Sequence, residues 1–155
     1  MRTVQSVVVT IVLAAGLPAC LSPSDARPGL RLSGETAEVP DDWSFSDSHR
    51  EIALEVRAPY GLPHSVTIWC AAPAGALHVA ARNPDEKHWP AWVDAHPDVR
   101  LRIDGKVYVV RLERLEDPSE IARVRAAYAA KYQLERPASP DEGPPMRYWR
   151  VRSRG

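Results

Sequence analysis

The sequence predicts a mainly β domain with two helices, and three observations carry that reading. Period-two alternation of apolar and polar residues recurs in five or more short runs, the pattern of half-buried strands. Two of those runs flank Asp104-Gly105, a dipeptide suited to a type I′ hairpin because both central residues need positive φ. Helical spacing is confined to two segments, one short and one longer, each placed between strands.

Taken in order, Leu30–Leu32 begins the domain as a short strand, and Ser33-Gly34 and Pro40-Asp41-Asp42 turn the chain. Trp43 and Phe45 are apolar enough to plug a barrel edge. In "EIALEVRAP" (51–59), Ile52, Leu54 and Val56 share one face while Glu51, Ala53, Glu55 and Arg57 take the other, so a half-exposed strand is expected. Tyr60-Gly61-Leu62-Pro63 reverses it. "HSVTIWCAA" and "ALHVAAR" then pair across Pro73-Ala74-Gly75. Between Asn83 and Pro97, Trp89, Trp92 and Val93 fall at i, i+3 and i+4 with Pro90 in the first turn, so a short helix with one apolar face is expected. "VRLRI" and "KVYVVRLERL" form the Asp104-Gly105 hairpin. Asp117-Pro118-Ser119-Glu120 reads as an N-cap, a first-turn proline and a capping-box acid, and Ile121, Val124, Tyr128 and Tyr132 form the buried stripe of the helix that follows. "RPASPDEGPP" is a loop and "MRYWRVRSR" the last strand.

The N-terminus has a different character. Arg2 precedes a mostly apolar run from Val7 to Leu17 and small residues ending at Cys20, the layout of a secretory signal. Eleven helical residues span roughly 16 Å at 1.5 Å each, about half of a ~30 Å hydrocarbon core, too short for a permanent span. Leu17-Pro18-Ala19-Cys20 resembles the lipobox of bacterial lipoproteins. That resemblance implies a signal peptide over residues 1–19, a lipidated Cys20, a Pro-containing tether over 20–29, a domain over 30–155, and a membrane-anchored protein of the cell envelope, outside the cytoplasm. With Cys20 acylated, Cys70 has no intramolecular partner and reads as a small buried apolar residue.

The charges balance at 20 basic and 20 acidic residues, so no bulk field gathers nucleic acid. The arginines at 147, 150, 152 and 154 read as the solvated face of the last strand. The five histidines (49, 64, 78, 88, 96) show no ligand spacing, so no metal site is expected. No Gly-x-Ser-x-Gly elbow or phosphate-cradling glycine loop occurs.

The stretch "GALHVAARNPDEKHWPAWVDAHPDVRLRIDGKVYVVRLERLEDPSEIARVRAAYAAKY", with the strand before it, resembles the flavin-binding split β-barrel of pyridoxamine 5′-phosphate oxidase-like proteins and their deazaflavin-dependent nitroreductase relatives. The resemblance covers Val66 to Tyr132. It implies a six-stranded antiparallel split β-barrel with an open seam, a homodimer, and a redox module (an oxidoreductase, if an enzyme) binding FMN or a deazaflavin. By the same resemblance the cofactor phosphate lies near Arg82, Lys87 and His88 before the short helix and near Ser65 and Thr67 on the preceding strand, with Trp69 or Trp89 against the ring. A helix N-terminus beside Arg and Lys is a good phosphate seat. Asp85 and Glu86 stand where the family carries a serine-lysine pair, and they oppose an anion. A cofactor-free binding or assembly module of the envelope is the alternative. Catalytic residues and substrate are not legible.

Overall fold

A computed structural model describes residues 29–134 and 143–154. The strands are β1 (Glu35–Ala37), β2 (Glu51–Arg57), β3 (Pro63–Ala71), β4 (His78–Arg82), β5 (Asp98–Ile103), β6 (Lys106–Arg114) and β7 (Met146–Ser153). Helix α1 (His88–Ala95) lies between β4 and β5, and α2 (Pro118–Tyr132) lies between β6 and β7. The signal peptide, Cys20 and most of the tether lie outside the described residues.

Strands β2 to β7 pair antiparallel in the order β6-β5-β2-β3-β4-β7, and β7 pairs back onto β6 from Val110↔Ser153 to Arg114↔Trp149. The result is a closed six-stranded antiparallel barrel with β1 added as an extra, parallel strand. The seam expected from the sequence is therefore closed, because β7 is long enough to pair with β4 through its first half and with β6 through its second.

Inside the barrel the alternation holds as expected. Ile52, Leu54 and Val56 of β2 meet Leu101 and Ile103 of β5, Val79 of β4 and Trp149 of β7, each no more than 2% exposed. Trp43 plugs the barrel edge, at 5.0 Å and edge-on to Tyr108, while Phe45 stacks outside it. The Asp104-Gly105 turn adopts positive φ at both residues, the type I′ signature.

Two expectations from the sequence are corrected. The first strand forms at Glu35–Ala37, in parallel register with Lys106–Tyr108, and not at Leu30–Leu32. Leu32 instead buries its side chain against Ala53 and Val107 and donates its N–H to Glu55 Oε2 at 2.6 Å. The strap reaches β6 because Gly34 passes the β5–β6 turn so closely that a Cβ there would lie 2.4 Å from the Gly105 oxygen. In consequence the outer face of β2 is not half-exposed: Ala53 and Glu55 are buried beneath residues 29–37. Glu55 is acceptable there because it also accepts from Arg100 at 2.7 Å, so its charge is paired.

Helix α2 covers the outer face of β3, β4 and β7. Val124, Tyr128 and Tyr132 are the buried stripe the spacing predicts. The Tyr128 hydroxyl donates to the carbonyls of Trp69 and His78, and the Tyr132 hydroxyl accepts from Cys70 N–H and donates to the carbonyls of Arg50 and Cys70. Burial raises both phenol pKa values, so these links stay protonated. Cys70 is buried, with Lys131 Nζ 3.6 Å from its sulfur, and burial pushes the thiol up. At the start of α2, Asp117 accepts from the N–H groups of Ser119 and Glu120. Glu120 itself is taken by Arg150 of β7, so the cap rests on Asp117. Replacing Asp117 with alanine is expected to lower stability by about 1 kcal/mol in urea unfolding, the usual cost of a lost N-cap.

Candidate functional site

The region to which the sequence points begins where β4 ends. Asn83 takes a left-handed conformation (φ 49°), and Pro84–Glu86 make one 3-10 turn that delivers Lys87 to the N-cap of α1. No side chain caps this helix. Its first turn therefore leaves the His88 and Trp89 N–H groups, partial positive charges in any helix, without a side-chain cap beside exposed Lys87 and His88, while Pro90 carries no N–H. Lys87 Nζ folds back to the Arg82 carbonyl at 2.5 Å. The two acids that oppose an anion are each engaged: Asp85 by Arg147 at 3.2 Å and Glu86 by Asn83 at 3.1 Å.

Beside this N-terminus stands an aromatic group of which the sequence named Trp92, as part of the apolar helix face, and His88, without grouping them with Tyr60 and His64. Trp92 is half-buried, stacks on His88 with centroids 5.7 Å apart, and meets His64 of β3 and Tyr60 of the β2–β3 turn edge-on at 5.4 and 5.9 Å. Tyr60 and Leu62 are more than half exposed. The His88–Trp92 pair was available to sequence reading as an i, i+4 contact on one helix face. The approach of Tyr60 and His64 was not, because it depends on how the β2–β3 turn folds toward α1.

The remaining residues named from the sequence are distributed differently. The pleat of β3 sends Ser65 and Thr67 to the face opposite His64. Ser65 is 2% exposed and is sealed by Gly29, which exchanges two backbone hydrogen bonds with it at 2.7 and 3.1 Å. Arg82 is exposed at the end of β4, and with Trp69 opposite Ala80 in register its side chain shares the outer face with Thr67. Trp69 lies flat on Tyr132 at 4.4 Å under α2. Trp89 is 5% exposed in the barrel core, 5.0 Å from Trp149. The structure thus brings Lys87 and His88 together at α1, keeps Ser65, Thr67 and Arg82 on another face, and packs both candidate ring walls, Trp69 and Trp89, against other aromatics. Among the described residues no cluster of His, Cys, Asp and Glu could hold a metal ion. No helix among them is long and apolar enough to cross a membrane.

A family model described as an uncharacterized protein conserved in bacteria, DUF2255, matches residues 46–147. The chain belongs to that family. Comparison with curated proteins finds no match. Among solved structures, this DUF2255 protein is similar to Atu2129 of Agrobacterium tumefaciens, a protein of unknown function, with 22% identity and a TM-score of 0.51 over 68% of this chain and 49% of that one. The chain therefore spans about half the length of that relative. It is also similar to the conserved hypothetical protein Rv2991 of Mycobacterium tuberculosis (17% identity, TM-score 0.58, 79% of this chain and 87% of that one). A third similar structure is an F420 reductase (16% identity, TM-score 0.50, 76% and 97%). These likenesses establish the split-barrel fold that the sequence resemblance implied.

Proposed function

We propose that this DUF2255 protein binds a phosphate-bearing planar cofactor, FMN or a deazaflavin, as an envelope redox module tethered through a lipidated Cys20 and working as a homodimer. One observation carries the reading: a helix N-terminus without a side-chain cap, with Lys87 and His88, lies directly against the partly exposed Trp92–His64–Tyr60 group. Donors and positive charge meet what a phosphate requires, and an aromatic face meets what a flat ring requires. The residues present fit such a group, because Asp85 and Glu86, which would repel a phosphate, are held by Arg147 and Asn83. Arg82 contributes its backbone carbonyl to Lys87, while its side chain points to the other face. Trp92 takes the ring-wall role that the sequence assigned to Trp69 or Trp89. The cofactor would supply the redox chemistry; the chain's own residues bind and orient it. The F420 reductase of similar fold supports the deazaflavin form of the reading. The tether and the envelope location rest on the lipobox-like Leu17-Pro18-Ala19-Cys20.

The test is an absorbance titration of the full chain with FMN and with a deazaflavin, run beside Lys87→Glu. Binding by the parent protein is expected, with affinity falling at least about tenfold in the variant, since reversing a charge at the phosphate removes a charge-assisted contact and adds a repulsion. No visible shift with either cofactor would reject the reading. The burial of Ser65 beneath Gly29 favours a second reading, a cofactor-free assembly module. That reading predicts a dimer in light scattering and no difference between the two proteins.

A further inference from the structure

At the rim of the barrel, four separate parts of the chain bring arginines to one cleft. The strap contributes Arg31, β2 and β5 contribute Arg57 and Arg100, and Arg154 follows the last strand. Glu55 and Asp98 line the same cleft, whose volume is about 310 Å³. Both carboxylates are already committed. Glu55 accepts from Arg100 at 2.7 Å and from Leu32 N–H at 2.6 Å, while Asp98 pairs with Arg111 at 2.9 Å and lies 3.8 Å from Arg154.

Arg31 and Arg57 pair with no carboxylate among the described residues, so the cleft carries two guanidinium charges beyond what its own acids balance. The strap holds Arg31 in place on both sides, through the Gly29–Ser65 bridge and the Leu32–Glu55 hydrogen bond. Guanidinium groups match the paired oxygens of a phosphate or carboxylate, and the fixed strap backbone keeps the base of the Arg31 side chain at the cleft. The size is at the lower end of small-molecule sites, roughly 300–1,000 Å³, which suits a compact ion better than a three-ring cofactor.

We propose that this cleft is a binding site for a small multivalent oxyanion, a phosphorylated or dicarboxylic metabolite, separate from the Lys87–His88 seat and independent of the cofactor reading. Isothermal titration of the full chain with inorganic pyrophosphate and with succinate tests it. At least one of the two is expected to bind, pyrophosphate alone marking a phosphorylated ligand and succinate alone a dicarboxylate. Arg57→Glu should weaken that binding at least tenfold and Arg57→Gln severalfold. Arg123→Glu, the same charge change on the exposed face of α2 outside the cleft, should leave it unchanged. Arg57 is exposed at the end of its strand, so both of its variants keep the fold, which matching urea midpoints verify. Binding of neither anion, an equal loss in Arg123→Glu, or a loss confined to Lys87→Glu would overturn the proposal.

Discussion

Replacing Trp149 with alanine is expected to cost about 3–5 kcal/mol, the range for deleting a fully buried large aromatic side chain. The residue is 1% exposed and packs 5.0 Å from Trp89 of α1, so its ring ties the helix to the barrel wall. Its indole Nε1 also donates to Asp94 at 3.1 Å. Asp94 sits in the last turn of α1, where a negative charge opposes the helix dipole. Arg114 of β6 and Arg147 of β7 offset it at 3.6 and 3.5 Å. Losing the indole therefore opens a void and removes one of the three donors that hold α1 against β6 and β7. Urea midpoints measure the effect, with an unchanged slope if the native state stays compact. Trp149→Phe keeps most of the volume, trims part of the ring and removes the Asp94 bond, so a smaller loss of about 1–2 kcal/mol is expected there. An alanine variant as stable as the parent would contradict the packing described.

How much of this was readable beforehand follows from how local each interaction is. The β5–β6 hairpin was legible because Asp104-Gly105 dictates its own turn, and α2 was legible because Asp117, Pro118 and the Ile121–Tyr132 stripe lie within one segment. The strap was misread because its pairing partner, β6, is some seventy residues away, and Gly34 matters only once the Gly105 oxygen stands beside it. The same distance hid the burial of Glu55, which alternation alone assigns to solvent. At the candidate site, Lys87 and His88 were named through the resemblance, and the structure sets them at the N-cap and first residue of α1. Ser65 and Thr67 were grouped with them by resemblance, whereas the pleat of β3 and the Gly29 bridge put them on another face. The arginine cleft gave no sequence signal at all, since Arg31, Arg57, Arg100 and Arg154 meet only through the barrel's closure and the path of the strap.

Acidification should destabilise the protein through His78 in particular. The ring is 3% exposed, and burial lowers its pKa from 6.5 to about 4. Its Nδ1 must carry hydrogen, because it lies 2.7 Å from the Ala76 carbonyl, which can only accept. On the neutral ring Nε2 is then a lone pair facing Glu120 at 3.4 Å, a carboxylate already taken by Arg150. Arg150, Arg152 and Arg123 further oppose a positive imidazole. Between pH 6.5 and 4 the unfolded chain therefore binds a proton at this site that the folded chain resists. The stability this site contributes is complete above about pH 6.5 and falls as pH drops toward 4, by at most about 3 kcal/mol at 1.36 kcal/mol per unit. His78→Asn keeps a donor toward Ala76 and cannot titrate. Urea midpoints at pH 7, 5.5 and 4 should show the parent losing more stability than the variant, with the gap opening below pH 6.5, where most carboxylates are still ionised. Parallel losses in the two proteins would mean that His78 does not carry the acid sensitivity.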